Sequence, residues 1–247
     1  MKTAQKIDTN NIDSDQACNL TVPLSNGNVA VISFTDRTAR SNINIADHFH
    51  VNHQHGDEIA SLSDPDKESE SPLAKADAIA TDFSTLQKSK KALLIYTADC
   101  FPLFFVDQKN EIVISMHAGW RGLAKNFHLK PFKEGLCDPS TTSVYLGPSM
   151  SGQNFESRYD LWSQFECHDD QNIFEHIPGN DEQRLFHPWR MVERDFNRVG
   201  VKHFHNVEID TFADKRFCSY RRRTKAGAPI DKNVLKNYSL LEIRSEI

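Results

Sequence analysis

Short apolar runs bounded by turn residues dominate the hydrophobic pattern of the chain. Val29 to Phe34, Ala92 to Thr97, Leu103 to Val106, Ile112 to Met116, Ser143 to Leu146 and His203 to Ile209 are rich in β-branched and aromatic residues, and each predicts a strand. Asp107-Gln108-Lys109-Asn110 separates two of these runs and reads as a hairpin loop. Helices are predicted over Gly122 to Gly135, Tyr159 to Cys167, Trp189 to Val199 and Asn233 to Glu242. In the third, Met191, Val192, Asp195, Phe196 and Val199 recur at i, i+3 and i+4, and Gly200 follows as a C-terminal cap. The strands fall mostly in hairpin-like pairs rather than in βαβ units. The expected fold class is therefore α+β, a mixed sheet covered by helices. No internal repeat is visible, and the chain is read as one domain over residues 1–247. Ser61 to Ser71, SLSDPDKESES, has one Leu among acids and a Pro, and predicts an exposed mobile loop. Asn10 to Asp15 is similarly polar.

Composition narrows the class. The 247 residues are 38% hydrophobic and include 16 Phe, enough for an aromatic-rich core. A formal net charge of −5 argues against non-specific nucleic-acid binding. No apolar run approaches the ~20 residues of a membrane-spanning helix. The N-terminus lacks the apolar core of a signal peptide. Its five cysteines are odd in number, irregularly spaced and without a CxxC pair, so reduced thiols in the cytoplasm are expected.

Three segments combine unusual residue types. HVNHQHGDEI (50–59) carries His55-Gly56-Asp57 near its end and also holds His50 and His53. YTADCFPLFFVD (96–107) places Asp99-Cys100 at the end of an apolar strand, and IVISMHAGWRGLAKN (112–126) places His117 at the end of another. If those strands are neighbours, Cys100 and His117 meet at one end of a sheet, where loops build sites. Gly119 and Gly122 permit close backbone approach, and Arg121 adds a fixed, forked charge. One Cys and two His suit a borderline-soft cation: zinc with three protein ligands and an open position, or copper. The same residues allow two other readings, a buried packing cysteine and a metal-free thiolate–imidazole pair formed by Cys100 and His117. His48, His50 and His53 are possible extra ligands or a polar turn. His128, His168, His176, His187, His203 and His205 show no ligand spacing. A second cluster, Phe217 to Lys225, carries Arg221, Arg222, Arg223 and Lys225, and reads either as a phosphate clamp or as a solvated basic loop.

Taken in order, His55-Gly56-Asp57, Lys75-Ala76-Asp77-Ala78, Thr97-Ala98-Asp99-Cys100-Phe101-Pro102, His117-Ala118-Gly119-Trp120-Arg121-Gly122, Leu146-Gly147-Pro148 and Ser219-Tyr220-Arg221-Arg222 resemble the laccase-domain family. That family is also called the polyphenol oxidase YfiH family, with a purine nucleoside phosphorylase branch. The resemblance runs from about His55 to Gly227 and implies mixed sheets layered between helices. It implies a metal, zinc or alternatively copper, on His55, Cys100 and His117. It also implies purine nucleosides and phosphate as reactants: phosphorolysis of adenosine, inosine, guanosine and methylthioadenosine, and deamination of adenosine. Arg121, Tyr220, Arg221 and Arg222 would lie at the pocket and hold phosphate, and Asp99 would act beside Cys100 as the acid for the leaving purine or as a support for the ligands. The chain departs from the family pattern at Arg223, where an Asp is usual, and at Ala226-Gly227-Ala228, His187-Pro188 and His53. The alternatives are a copper-dependent polyphenol oxidase, a cysteine hydrolase using Cys100 and His117, and a non-enzymatic metal-dependent binding module.

Overall fold

The computed structural model describes residues 18–37, 43–64, 66, 72–231 and 236–245. In chain order the strands are β1 (Cys18–Pro23), β2 (Asn28–Phe34), β3 (Ile59–Ser61), β4 (Ala78–Asp82), β5 (Leu93–Thr97), β6 (Phe101–Asp107), β7 (Ile112–Ala118), β8 (Thr142–Leu146), β9 (Glu156–Arg158), β10 (Phe174–Ile177), β11 (Asn180–Phe186), β12 (His203–Asn206) and β13 (Asn237–Ser245). The helices are α1 (Phe83–Ser89), α2 (Trp120–Ala124), α3 (Lys130–Lys133), α4 (Tyr159–Trp162), α5 (Pro188–Val199) and α6 (Tyr220–Lys225). A six-stranded sheet runs β12-β8-β6-β7-β4-β3, a four-stranded sheet β1-β2-β13-β5, and a three-stranded sheet β10-β11-β9. The β12–β8 and β3–β4 pairs are parallel and the others antiparallel, so the sheets are mixed and the fold class is α+β.

The six-stranded sheet is buried on both faces, which explains why FPLFFVD of β6 is apolar without alternation. Successive side chains point to opposite faces. Leu103, Phe105, Ile114, Met116, Val144 and Leu146 enter one core, shared with Phe127, Met191, Val192 and Phe196 from the helical side. Phe104, Val106, Val113 and Tyr145 enter the other, shared with Ile32, Phe34, Ile95 and Leu241 of the four-stranded sheet. A helical layer, a central sheet and a second sheet result.

Helix α5 matches its expected span. Pro188 opens it with a preset φ, and Gly200 closes it at φ 95°. Three predicted helices are corrected. The described part of Asn233 to Glu242 is strand β13, held between β2 and β5, because Leu241 and Ile243 alternate into the inter-sheet core. Residues 233–235 lie outside the described residues. Gly122 to Gly135 breaks into α2, a 3-10 turn at Phe127–Leu129 and α3, since Asn126 adopts a left-handed φ of 59°. Helix α4 stops at Trp162, well short of Cys167. The predicted strand from His203 ends at Asn206 rather than Ile209. The predicted mobile loop is corrected at its start, where Ser61 belongs to β3 and Leu62 is buried with its N–H bonded to Ala80. Residues 65 and 67–71 of that loop, and Asn10 to Asp15, lie outside the described residues.

Leu146-Gly147-Pro148 has a packing role that its loop-like sequence does not announce. A Cβ at Gly147 would stand 2.2 Å from the fully buried ring of Phe34. Gly147→Ala is therefore expected to destabilise the chain by about 2 kcal/mol through overpacking, read as a lower urea midpoint. An unchanged midpoint contradicts that packing.

Candidate metal centre

Strands β6 and β7 are adjacent and antiparallel, with Pro102 opposite His117. Val113, Ser115 and His117 share one face of β7, so His117 points to the inter-sheet side at the strand's last turn. Cys100 lies one residue before β6 and two before Pro102, diagonal to His117. The backbone turns there through Asp99, at φ 85°. His55 comes from the loop before β3 and is itself left-handed, at φ 56°. Together these turns bring one ligand atom of each of His55, Cys100 and His117 within 4.8 Å of the others. The His55 and His117 rings meet edge to face, centroids 4.9 Å apart. Gly119 caps this cradle. A Cβ there would lie 3.3 Å from the His55 ring and 3.5 Å from the Cys100 sulfur.

Asp77, one residue before β4, sets the arrangement. Its carboxylate accepts the backbone N–H of Gln54 (3.2 Å), His55 (3.0 Å) and Gly56 (2.8 Å), and the Nδ1–H of His117 (2.9 Å). A carboxylate can only accept, so Nδ1 keeps a proton, and Nε2 is the ring nitrogen that would bind a cation once the cation displaces its own proton. Burial pushes the Asp77 carboxyl up, but the bonds from His117 and Gly56 outweigh it and hold it below its ordinary value. Burial likewise raises the Cys100 thiol, and the imidazoles of His117 and His55 overcome this and bring it down to about 6. His117 is lowered by burial, and the Cys100 thiolate and Asp77 reverse that, raising it to about 9. A softened thiolate, a fixed imidazole and an exposed second imidazole fit a zinc or copper ion, whose bonds to such atoms are about 2.0–2.3 Å. The cradle under Gly119 leaves room for it.

The other expected site residues separate. Arg121 is exposed and stacks on Trp120, 4.3 Å from its ring. Tyr220 is half exposed. Arg221 bonds to Glu156 at 2.9 Å, a carboxylate it shares with Lys225. Arg222 is a correction. Its guanidinium is taken up by the backbone carbonyls of Thr211 (2.6 Å), Phe212 (2.7 Å) and Phe217, so it staples a loop and has no fork left for phosphate. Asp99 is engaged by three donors. It accepts from the Thr211 hydroxyl (2.6 Å), the Ser219 hydroxyl (3.0 Å) and the Arg221 N–H (2.7 Å), which fastens the start of α6 to the turn that carries Cys100. Burial raises its carboxyl against those three bonds. Among the extra histidines, His53 stacks on His117, while His48 and His50 lie outside the group of three. Of the histidines with no ligand spacing, His128 bonds to Asp195 and His187 to Glu175. Sequence reasoning gave Asp77 no role, although it stands in one of the quoted segments. A lone acid in a segment with no predicted element carries no local signal, because its partners come from two distant segments.

A mixed α+β fold with a thiol and two imidazoles gathered at strand ends defines the class. The chain belongs to the family described as multi-copper polyphenol oxidoreductase laccase, whose model matches residues 13–231. It is 26% identical over 156 residues to a purine nucleoside phosphorylase of Haemophilus influenzae, covering 62% of each chain. It is 32% identical over 139 residues to one of Pseudomonas aeruginosa, covering 55% of this chain and 57% of that one. The chain thus spans less than two thirds of the length of these two relatives. A purine nucleoside phosphorylase of Aquifex aeolicus is 29% identical over 172 residues, 68% of this chain and 73% of that one. The fold matches the crystal structure of the Bacillus licheniformis hypothetical protein YfiH with a TM-score of 0.71, at 15% identity over 94% of this chain and 98% of that one. It also matches YlmD from Geobacillus stearothermophilus with a TM-score of 0.67, at 18% identity over 90% and 93%. Among the described residues no helix is long and apolar enough to cross a membrane.

The electrostatics give a pH signature. Alkylation follows the thiolate fraction. A folded-state value lowered to about 6 means that Cys100 in metal-free protein reacts with iodoacetamide at a rate that rises through pH 6 and levels above it. Mass spectrometry of the Cys100 peptide measures this, with added zinc slowing the reaction. A rate that climbs only near pH 9 contradicts the assigned pairing.

Proposed function

We propose that this chain is a metal-dependent enzyme of purine nucleosides that cleaves adenosine, inosine, guanosine and methylthioadenosine with phosphate and also deaminates adenosine. The observation that carries the metal part is the convergence of His55, Cys100 and His117 on one point. The nucleoside part is supported by the relatives named purine nucleoside phosphorylase. A zinc ion, or copper in its place, would supply a Lewis acid and a water of lowered pKa.

The protein's own residues do the rest. Asp77 keeps the Nδ1 proton on His117 and so presents Nε2. Arg121, exposed beside Gly119, would hold phosphate, joined by Arg221 on exchanging its Glu156 partner for the anion, so that one oxygen bonds to C1′ of the ribose as the C1′–N9 bond breaks and the purine leaves with a proton. Asp99 acts as a positioning residue, since it fixes the Arg221 backbone. In deamination a water oxygen bonds to C6 and ammonia departs.

Two other readings meet specific observations. The family description names a multi-copper oxidase, but multi-electron oxygen chemistry needs several coppers, and among the described residues a single three-ligand group of this kind is present. The softened thiol of Cys100 beside His117 also suits a cysteine hydrolase, which a chelator would leave active.

Incubation of adenosine with purified protein, with and without phosphate, separates these possibilities. Adenine formed only with phosphate reports phosphorolysis, and inosine reports deamination. Cys100→Ala is expected to lower both by at least about a hundredfold, and chelation to do the same. Full turnover in that variant removes the cysteine from the mechanism. Phenol oxidation without nucleoside turnover favours the copper oxidase.

A further inference from the structure

The environment of His117 holds a residue with no role so far. The His53 ring lies flat on the His117 ring, with centroids 4.3 Å apart and planes inclined by 2°. On its other side it stacks on Tyr96, at 4.1 Å and 29°. The ammonium of Lys236 sits over the Tyr96 ring, 4.2 Å from its centroid. These groups form a column that ends on a candidate ligand.

This geometry excludes His53 as a fourth ligand. An imidazole coordinates along the lone pair in its own plane, at about 2.0–2.1 Å. A cation in the plane of His117 is displaced from the parallel plane of His53 by the full stacking distance. The nitrogen lone pairs of the two rings run side by side and never meet. His53 is accordingly outside the group whose atoms lie within 4.8 Å of one another.

Asp77 and Cys100 hold His117 only through nitrogens in the plane of its ring. Bonds at these two atoms fix the edges, but the ring can still rock about the line that joins them. His55 stands perpendicular to His117, at 89°, and so does not lie flat on it. A second aromatic slab on the flat side of His117 removes that rocking, and Tyr96 backs the slab. Stacked rings of this kind contribute about 0.5–1.5 kcal/mol beyond their buried area.

We infer that His53 is a positioning residue of the metal centre, acting through the face of its ring on the orientation of His117 and not through a nitrogen. This rests on the reading of His55, Cys100 and His117 as a metal site.

The test is a chelator-competition titration of zinc into wild-type protein, His53→Ala and His53→Phe, together with the cobalt(II) absorption spectrum of each. Phe keeps the slab and lacks both nitrogens. His53→Ala is expected to weaken zinc binding by about tenfold and to shift the cobalt bands. His53→Phe is expected to restore both to near the wild-type values. Thermal unfolding of the metal-free variants checks that each is folded, and His53→Phe keeps the test decisive should His53→Ala fail to fold. Unchanged affinity in His53→Ala overturns the inference. So does a loss in His53→Phe as large as that in His53→Ala, because the nitrogen would then be what matters. A wild-type chain that takes up neither zinc nor cobalt overturns the metal reading itself and this inference with it, whereas uptake by wild type with no effect of the variants overturns this inference alone.

Discussion

One buried carboxylate holds the site together. Asp77 gathers three consecutive backbone N–H groups and one imidazole N–H, and so ties the His55 loop to the end of β7. Without it the left-handed turn at His55 loses its anchor and the His117 tautomer is free to change. Its four donors come from two segments distant in sequence, which is why β4 must lie beside β7. Removing one partner of such a network leaves the others buried and unpaired, a penalty of about 1–3 kcal/mol for each such group.

The wider fold serves the same end. The parity of β6 and β7 sends apolar side chains to both cores and leaves the last inward position of β7 to His117. A left-handed Asp99 then turns Cys100 toward it. Asp99 also bonds to the N-terminus of α6, which ties the turn that carries the thiol to the helix that carries Arg221. Within the arginine run Arg222 staples three carbonyls and Arg221 engages the Glu156 carboxylate, whereas Arg121, in a separate segment, is exposed.

Much of this was legible in the sequence where local pattern and tertiary environment agree. The strands at 92–97, 103–106 and 112–116 are short, apolar and bounded by turns, and they lie in the central and second sheets. Helix α5 carries both its own period and its caps. Cys100 and His117 stood out because each ends an apolar strand in a small-residue turn. What failed depended on partners elsewhere. Strand β13 looks helical by itself and is a strand because β2 and β5 flank it. Asp77, His53 and the Arg222 staple take their roles from distant contacts that no spacing rule records. The charge of the Arg221 to Lys225 run was visible, but the carbonyls and the Glu156 carboxylate that engage it were not.

X-ray absorption at the zinc edge of the metal-loaded protein tests the central claim most directly. The account predicts one sulfur at about 2.3 Å and two imidazole nitrogens at about 2.0–2.1 Å, with the sulfur shell lost in Cys100→Ser. A zinc shell of nitrogen and oxygen alone in the unsubstituted protein contradicts it.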